Sequence, residues 1–188
     1  MGRYDEAIAE GRKAESLDPL SLIISADVAM EALAPAGLYD QELEQCRKTL
    51  EMDPNFAVAH ACMSDSYLGK GMYKEAITEM QKAIDLSGGS IVWVSALGSI
   101  YAMAGNRNAA LRSLSELRAR SRREFVGSER YAPIYAALGN KDQAFVCVER
   151  AYEDRSDILF DIRLHQVYRP LRSDPRVQDL LRRAGLPP

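Results

Sequence analysis

Histidine is scarce in this 188-residue chain, tryptophan occurs once, and the three cysteines, Cys46, Cys62 and Cys147, show no metal-ligand spacing. An odd number of thiols placed this way argues against a zinc site or a disulfide framework, and a reducing compartment is expected. The two histidines, His60 and His165, are too far apart along the chain to share one site. There is no Gly-rich phosphate loop, since Gly88-Gly89 reads as a joint between helices, and no His-Glu-x-x-His or Gly-x-Ser-x-Gly motif occurs. Asp157 and Asp161 lie four apart beside a helix break, where capping and solvation account for them. Nothing here assembles a poised acid, base, nucleophile or metal set, so no catalytic residue, no metal, no cofactor and no enzyme activity is expected. Long apolar runs are missing too, and none approaches the roughly 20 residues a membrane span needs. The first six residues, Met-Gly-Arg-Tyr-Asp-Glu, lack a signal core and depart from the myristoylation pattern, so a soluble, cytoplasmic chain is expected. Charge is mixed, with 24 basic and 27 acidic residues and a net of −3, which disfavours a dedicated nucleic-acid binder.

What is present is a repeat. Residues 57–90 read as a short helix, a break at Gly69-Lys70-Gly71 and a second amphipathic helix carrying Ala76, Met80 and Ala83. A shift of 34 residues turns Ser64, Tyr67, Gly71, Ala76 and Met80 into Gly98, Tyr101, Gly105, Ala110 and Leu114. A second shift of 34 gives Ala132, Tyr135, Gly139, Ala144 and Val148. A constant period of this size predicts a solenoid of helix pairs, each pair burying its apolar faces against its neighbours. Ser64 and Gly98 are expected where the two helices of a pair approach closely, with Tyr67 and Tyr101 filling space towards the next repeat. Upstream, Gly2, Tyr4, Ala7, Ala14 and Pro19 match the second half of a repeat only. The chain thus opens on an orphan second helix, read either as an N-terminal cap or as part of a longer array, and the apolar Ala7, Ile8 and Ala14 favour the array. Asp18-Pro19 and Asp53-Pro54 punctuate the helices at a spacing of 35, and the extra residue is expected in the turn at residues 34–37. Near the end, Asp174 as cap, Pro175 in the first turn, Gly185 as stop and Pro187 beyond it delimit a last helix with Val177, Leu180 and Leu181 as its buried stripe.

Val94-x2-Leu97-Gly98-x2-Tyr101 with Ala110-x3-Leu114 resembles the tetratricopeptide repeat (TPR), with aliphatic residues replacing its large aromatics. The resemblance implies an all-α, TPR-type α-solenoid, a right-handed superhelix of helix pairs with a C-terminal capping helix. Its expected segments are a half repeat at 1–21, a degenerate repeat at 22–56 with Glu42 at a usually small position, repeats at 57–90, 91–124 and 125–157, and a capping segment at 158–188. Residues 135–186 are similar, chiefly through 144–155 and 170–187, to the ends of TPR regions in bacterial signalling proteins such as winged-helix regulators and serine/threonine kinases. That likeness implies a docking or sensory region of a larger regulatory protein.

In TPR proteins the first helix of each pair lines a concave face that holds partners. By position that face would comprise Ile23, Ala26 and Met30, then Val58, Ala61, Asp65 and Leu68, then Val92, Ser95, Ser99 and Ala102, with Glu129 and Ala136 from the fourth repeat. The carboxylate clamp of chaperone-docking members is absent, because Ala61, Asp65, Ala96 and Ser99 occupy its positions. A small, apolar face with scattered acids suits a protein or peptide segment, extended or helical. The alternative is RNA or an acidic partner on Arg118, Arg120, Arg122 and Arg123, a run that as a solvated helix end needs no ligand. End-to-end self-association through the N-terminal half repeat is a further expectation.

Overall fold

The computed structural model describes residues 4–186, and every regular element among them is helical. Gly2 and Pro187, used above to match a turn and to close the last helix, lie outside the described residues. The chain divides into two compact units, Met1–Trp93 and Val94–Pro188.

The first unit begins with α1 (Tyr4–Leu17) and α2 (Leu22–Asp27), which continues as a π-helical segment over Val28–Leu33. It goes on through α3 (Tyr39–Met52), α4 (Ala57–Gly69) and α5 (Tyr73–Leu86) into the start of α6 (Ile91–Met103). Ser21 caps α2 by accepting from the Ile24 amide at 3.3 Å. The turn glycines keep strict time: Gly37 and Gly71 here, and Gly105 and Gly139 in the second unit, have φ of 75°, 72°, 78° and 76°. Each ends a first helix in the left-handed region that a side chain disfavours, so the 34-residue period is written into the backbone. This relocates the extra residue. Because Gly37 and Gly71 are already in step, the insertion lies upstream of the turn rather than in residues 34–37. The π segment absorbs it: the Ala34 amide donates to the Ala29 carbonyl five residues back at 3.0 Å, a wider turn that holds one more residue.

Ala29, Leu43, Cys46, Cys62 and Met63 form a buried cluster, with Met30, Leu50 and Tyr67 packed against it. Within it Cys46 of α3 and Cys62 of α4 are joined by a disulfide across 6.1 Å between Cα atoms, leaving Cys147 free. This corrects the expectation that the cysteines form no disulfide. A separation of 16 residues carries no motif, and only the packing of α3 on α4 brings the two together. Tyr67 packs against this cluster, which joins Ala29, Leu43 and Cys46 to Cys62 and Met63 of its own helix. A Cβ on Gly69 would overlap the Tyr39 ring, so α3 and α4 meet closely at that end as well. In the α4–α5 pair, buried Ser64 donates to the Ala76 carbonyl at 2.7 Å, which fits its place at a close helix approach.

The second unit takes the rest of α6, then α7 (Arg107–Arg120), α8 (Ala132–Ala137) and α9 (Lys141–Glu153). Gly98 sits at a close helix approach: a Cβ there would lie 2.6 Å from Ile134 Cδ1 and 2.8 Å from Ser113 Cβ. Asn106 and Asn140 cap α7 and α9 through their side-chain oxygens, at 3.1 and 3.2 Å. Ser128–Arg130 forms a single 3-10 turn, and α8 starts late, with Pro133 in its first turn where a missing amide hydrogen costs nothing. Beyond α9 come α10 (Ile158–Leu164), α11 (Arg169–Arg172) and α12 (Pro175–Arg183). Asp174 accepts from the Arg176 amide at 3.0 Å to start α12, and Val177, Leu180 and Leu181 are its buried stripe. Gly185 closes it with φ 72°.

Candidate binding surfaces

The expected concave residues split into two sets. In the first unit Ile23 and Val92 are exposed and Met30, Val58 and Asp65 half-buried, so these five present surface. Ala26, Ala61 and Leu68 are buried and act in packing. In the second unit Ser95 and Ser99 are buried, donating to the carbonyls of Arg130 (2.5 Å) and Ala96 (2.8 Å), and Ala136 is buried too. Ala102 and Glu129 are half-buried, and Glu129 lies 3.3 Å from the Arg130 guanidinium. Ala26, Ala61, Ser95 and Ser99 therefore serve packing of the first helices, whereas Ile23 and Val92 are exposed.

The four arginines also divide. Arg118 donates to the Tyr135 hydroxyl at 2.5 Å, and Arg120 pairs with Glu124 at 2.6 Å and Glu116 at 3.7 Å. Arg122 and Arg123 are exposed and have no acidic partner among the described residues.

His60 is buried, with Nδ1 2.6 Å from the Glu79 carboxylate and Nε2 3.2 Å from the Pro54 carbonyl. Both ring nitrogens are thus engaged in contacts within the fold. Burial by itself would raise the Glu79 carboxyl, but hydrogen bonds from Lys82 and His60 outweigh it and hold the group below its ordinary value. Cys147 is half-buried, and burial pushes its thiol up to about 11 despite the nearby Arg118, so it is no ready nucleophile. Among the described residues no three His, Cys, Asp or Glu side chains cluster as a metal site would require. No helix among them is long and apolar enough to cross a membrane.

Two polar features of α3 escaped the sequence reading. Gln45, Ser25 and Thr49 form a buried network: Gln45 donates to Ser25 at 2.8 Å and to Glu15, accepts from Arg12 at 2.8 Å, and Ser25 meets Thr49 at 2.7 Å. It floors a cleft of about 460 Å³ in the first unit that Lys48 and Met52 also line. The other is Glu42, fully buried, with neither carboxylate oxygen in a hydrogen bond. Ser66, beside it, donates instead to the Cys62 carbonyl at 3.2 Å. Burial, then the charge of Asp65, pushes the Glu42 carboxyl up to about 9, so it is neutral at physiological pH. A polar residue at a usually small position was the visible sign for Glu42; Gln45, between buried Leu43 and Cys46, gave a similar one.

Residues 63–89 match the family model described as tetratricopeptide repeat. No curated protein sequence is similar enough to match. Among solved structures, TTC0263, a thermophilic TPR protein of Thermus thermophilus, superposes with a TM-score of 0.66 at 20% identity, over 88% of this chain and 91% of that one. YrrB, described as a TPR protein with an unusual peptide-binding site, superposes with a TM-score of 0.51 at 21% identity, over 93% of this chain and 90% of that one. Helix pairs, left-handed turn glycines at a 34-residue period, and these likenesses together give this chain the all-α, TPR-type solenoid fold.

Proposed function

We propose that the chain is a non-catalytic protein–protein interaction scaffold, the docking or sensory region of a larger bacterial regulatory protein. Its first unit would hold a peptide or helix on the face made by the first helices of its repeats. The observation that carries this reading is the exposure or half-exposure of the apolar Ile23, Met30, Val58 and Val92, and of Asp65, on those helices. Buried Ala26 and Ala61 support it by keeping bulk away from the helix backbones. The TPR-type fold supports it in kind, and YrrB, of similar fold, is described as having a peptide-binding site. Apolar anchors would supply the affinity, a well-packed one giving more than about 2 kcal/mol, while Asp65 would orient a basic residue of the partner.

The test begins with a segment captured from a bacterial lysate and titrated against two variants whose circular dichroism matches the parent. Val58→Asp with Val92→Asp is expected to weaken binding at least about tenfold. Arg120, Arg122 and Arg123 replaced by alanine should bind as the parent does, with little dependence on salt. Binding that survives the first variant and fails in the second would exclude the apolar face and favour the arginine run.

A further inference from the structure

Three large apolar side chains among the described residues are far more exposed than the others: Phe125 at 83%, Leu17 at 80% and Leu20 at 79%, with the next at 56%. All three stand at the ends of helices or in the turns that follow them. Leu17 and Leu20 bracket the passage from α1 to α2, and Phe125 follows the end of α7. The charges beside them are opposite in sign. Leu17 and Leu20 flank Asp18, whose carboxylate has no hydrogen-bond or ion-pair partner among the described residues. Phe125 follows Arg122 and Arg123, the two arginines of their run that no acid engages.

The same opposition holds for the units as a whole. The first has 8 basic and 16 acidic residues, a net of −8; the second has 16 basic and 11 acidic, a net of +5. A net charge of −3 conceals this asymmetry. All but one of the second unit's cations are arginine, whose planar fork suits a carboxylate better than a lysine ammonium does. An exposed phenylalanine beside free arginines in a positive unit and exposed leucines beside a free aspartate in a negative unit are complementary in both apolar surface and charge.

We propose that the chain associates head to tail with a second copy of itself: the α1–α2 turn of one copy, through Leu17, Asp18 and Leu20, docks on the turn after α7 of another, through Arg122, Arg123 and Phe125. The leucines lie against the phenylalanine while the aspartate meets the arginine pair. The two surfaces differ, so each copy keeps one of each free, and the contact propagates into a chain or a ring. Two short turns make a small interface, at the low end of those that form specifically, so association is weak and reversible. This contact uses none of the residues assigned to the apolar face of the first helices and does not depend on that reading. RNA is less well suited, because the net −8 of the first unit repels a polyanion and exposed leucines contribute nothing to phosphate binding.

Sedimentation velocity on the chain from about 10 µM to 1 mM, in about 50 mM and about 500 mM salt, tests it. Average mass is expected to rise with concentration at low salt, and the dissociation constant to weaken about tenfold at high salt. Arg122→Glu with Arg123→Glu, and separately Asp18→Arg, should each stay monomeric. An equimolar mixture of the two should associate again, because each then meets a complementary partner, which a general loss of folding could not produce. A wild type that remains monomeric throughout, charge variants that associate as the parent does, or a mixture that does not recover would each overturn the proposal. So would a monomeric wild type that binds a labelled oligouridylate through Arg122 and Arg123, which would assign the patch to RNA.

Discussion

Glu42 is the residue most at odds with its surroundings, a fully buried carboxyl with no hydrogen bond to either oxygen. Its folded-state value of about 9 lies above the ordinary 4.5, so between those values the folded state holds a proton that the unfolded state has released. Stability from this group is therefore fully present below the ordinary carboxylate range and is lost as pH rises towards about 9. Glu42→Gln should flatten that slope and gain on the order of 5 kcal/mol at pH 8, with little change at pH 4. Urea midpoints for parent and variant at both pH values check this, and parallel slopes would mean that Glu42 is solvated. Gly98 presents the opposite case, a position that must stay empty. Leucine there would collide with Ile134 and with Ser113 Cβ, which cannot swing aside, and should cost roughly 1–3 kcal/mol or more. Lys74→Ala, at an exposed site on α5, should change stability by less than about 0.5 kcal/mol. Denaturation midpoints ranked the other way would refute the close approach at Gly98.

At the scale of elements, α3 and α4 are joined more firmly than a repeat sequence suggests. Their disulfide closes a loop across a separation of 16 residues, which removes freedom from the unfolded chain and should contribute about 2–4 kcal/mol. Reduction with an excess of dithiol should lower the unfolding midpoint by that amount, and thiol titration in denaturant should rise from one group to three. Three reactive thiols before any reductant is added would show that the bond does not form. By contrast, α1 buries none of its residues completely, although a Cβ on Gly11 would lie 2.9 Å from Val28 Cγ2. It packs against the π segment and leaves Ala7 and Leu17 exposed. Its amides should be the least protected of the longer helices in hydrogen exchange.

At the scale of the whole molecule, the reading from sequence was strongest where backbone geometry is local. A glycine that ends a helix with positive φ, an asparagine that caps the next one and a proline in a first turn act within a few residues, so the helices and their 34-residue period were legible at Gly71, Gly105, Gly139, Asp174 and Pro175. The buried stripe of α12 was legible for the same reason, since 3.6 residues per turn places Val177, Leu180 and Leu181 on one side. The candidate face was legible only as a list of positions. Ile23, Val58 and Val92 reach its surface, whereas Leu68, Ser95 and Ser99 do not, because burial depends on neighbours contributed by other helices. Tertiary structure alone decided the rest: the bond between Cys46 and Cys62, the isolation of Glu42 and the pairing of Arg118 and Arg120 but not Arg122 and Arg123. The sequence by itself determined which segments are helices and in what register they repeat, because those choices are made by hydrogen bonds and side-chain sterics within one turn. Which side chains meet across the helices was left to packing, where residues 16 to 35 positions apart along the chain become neighbours within a few ångströms.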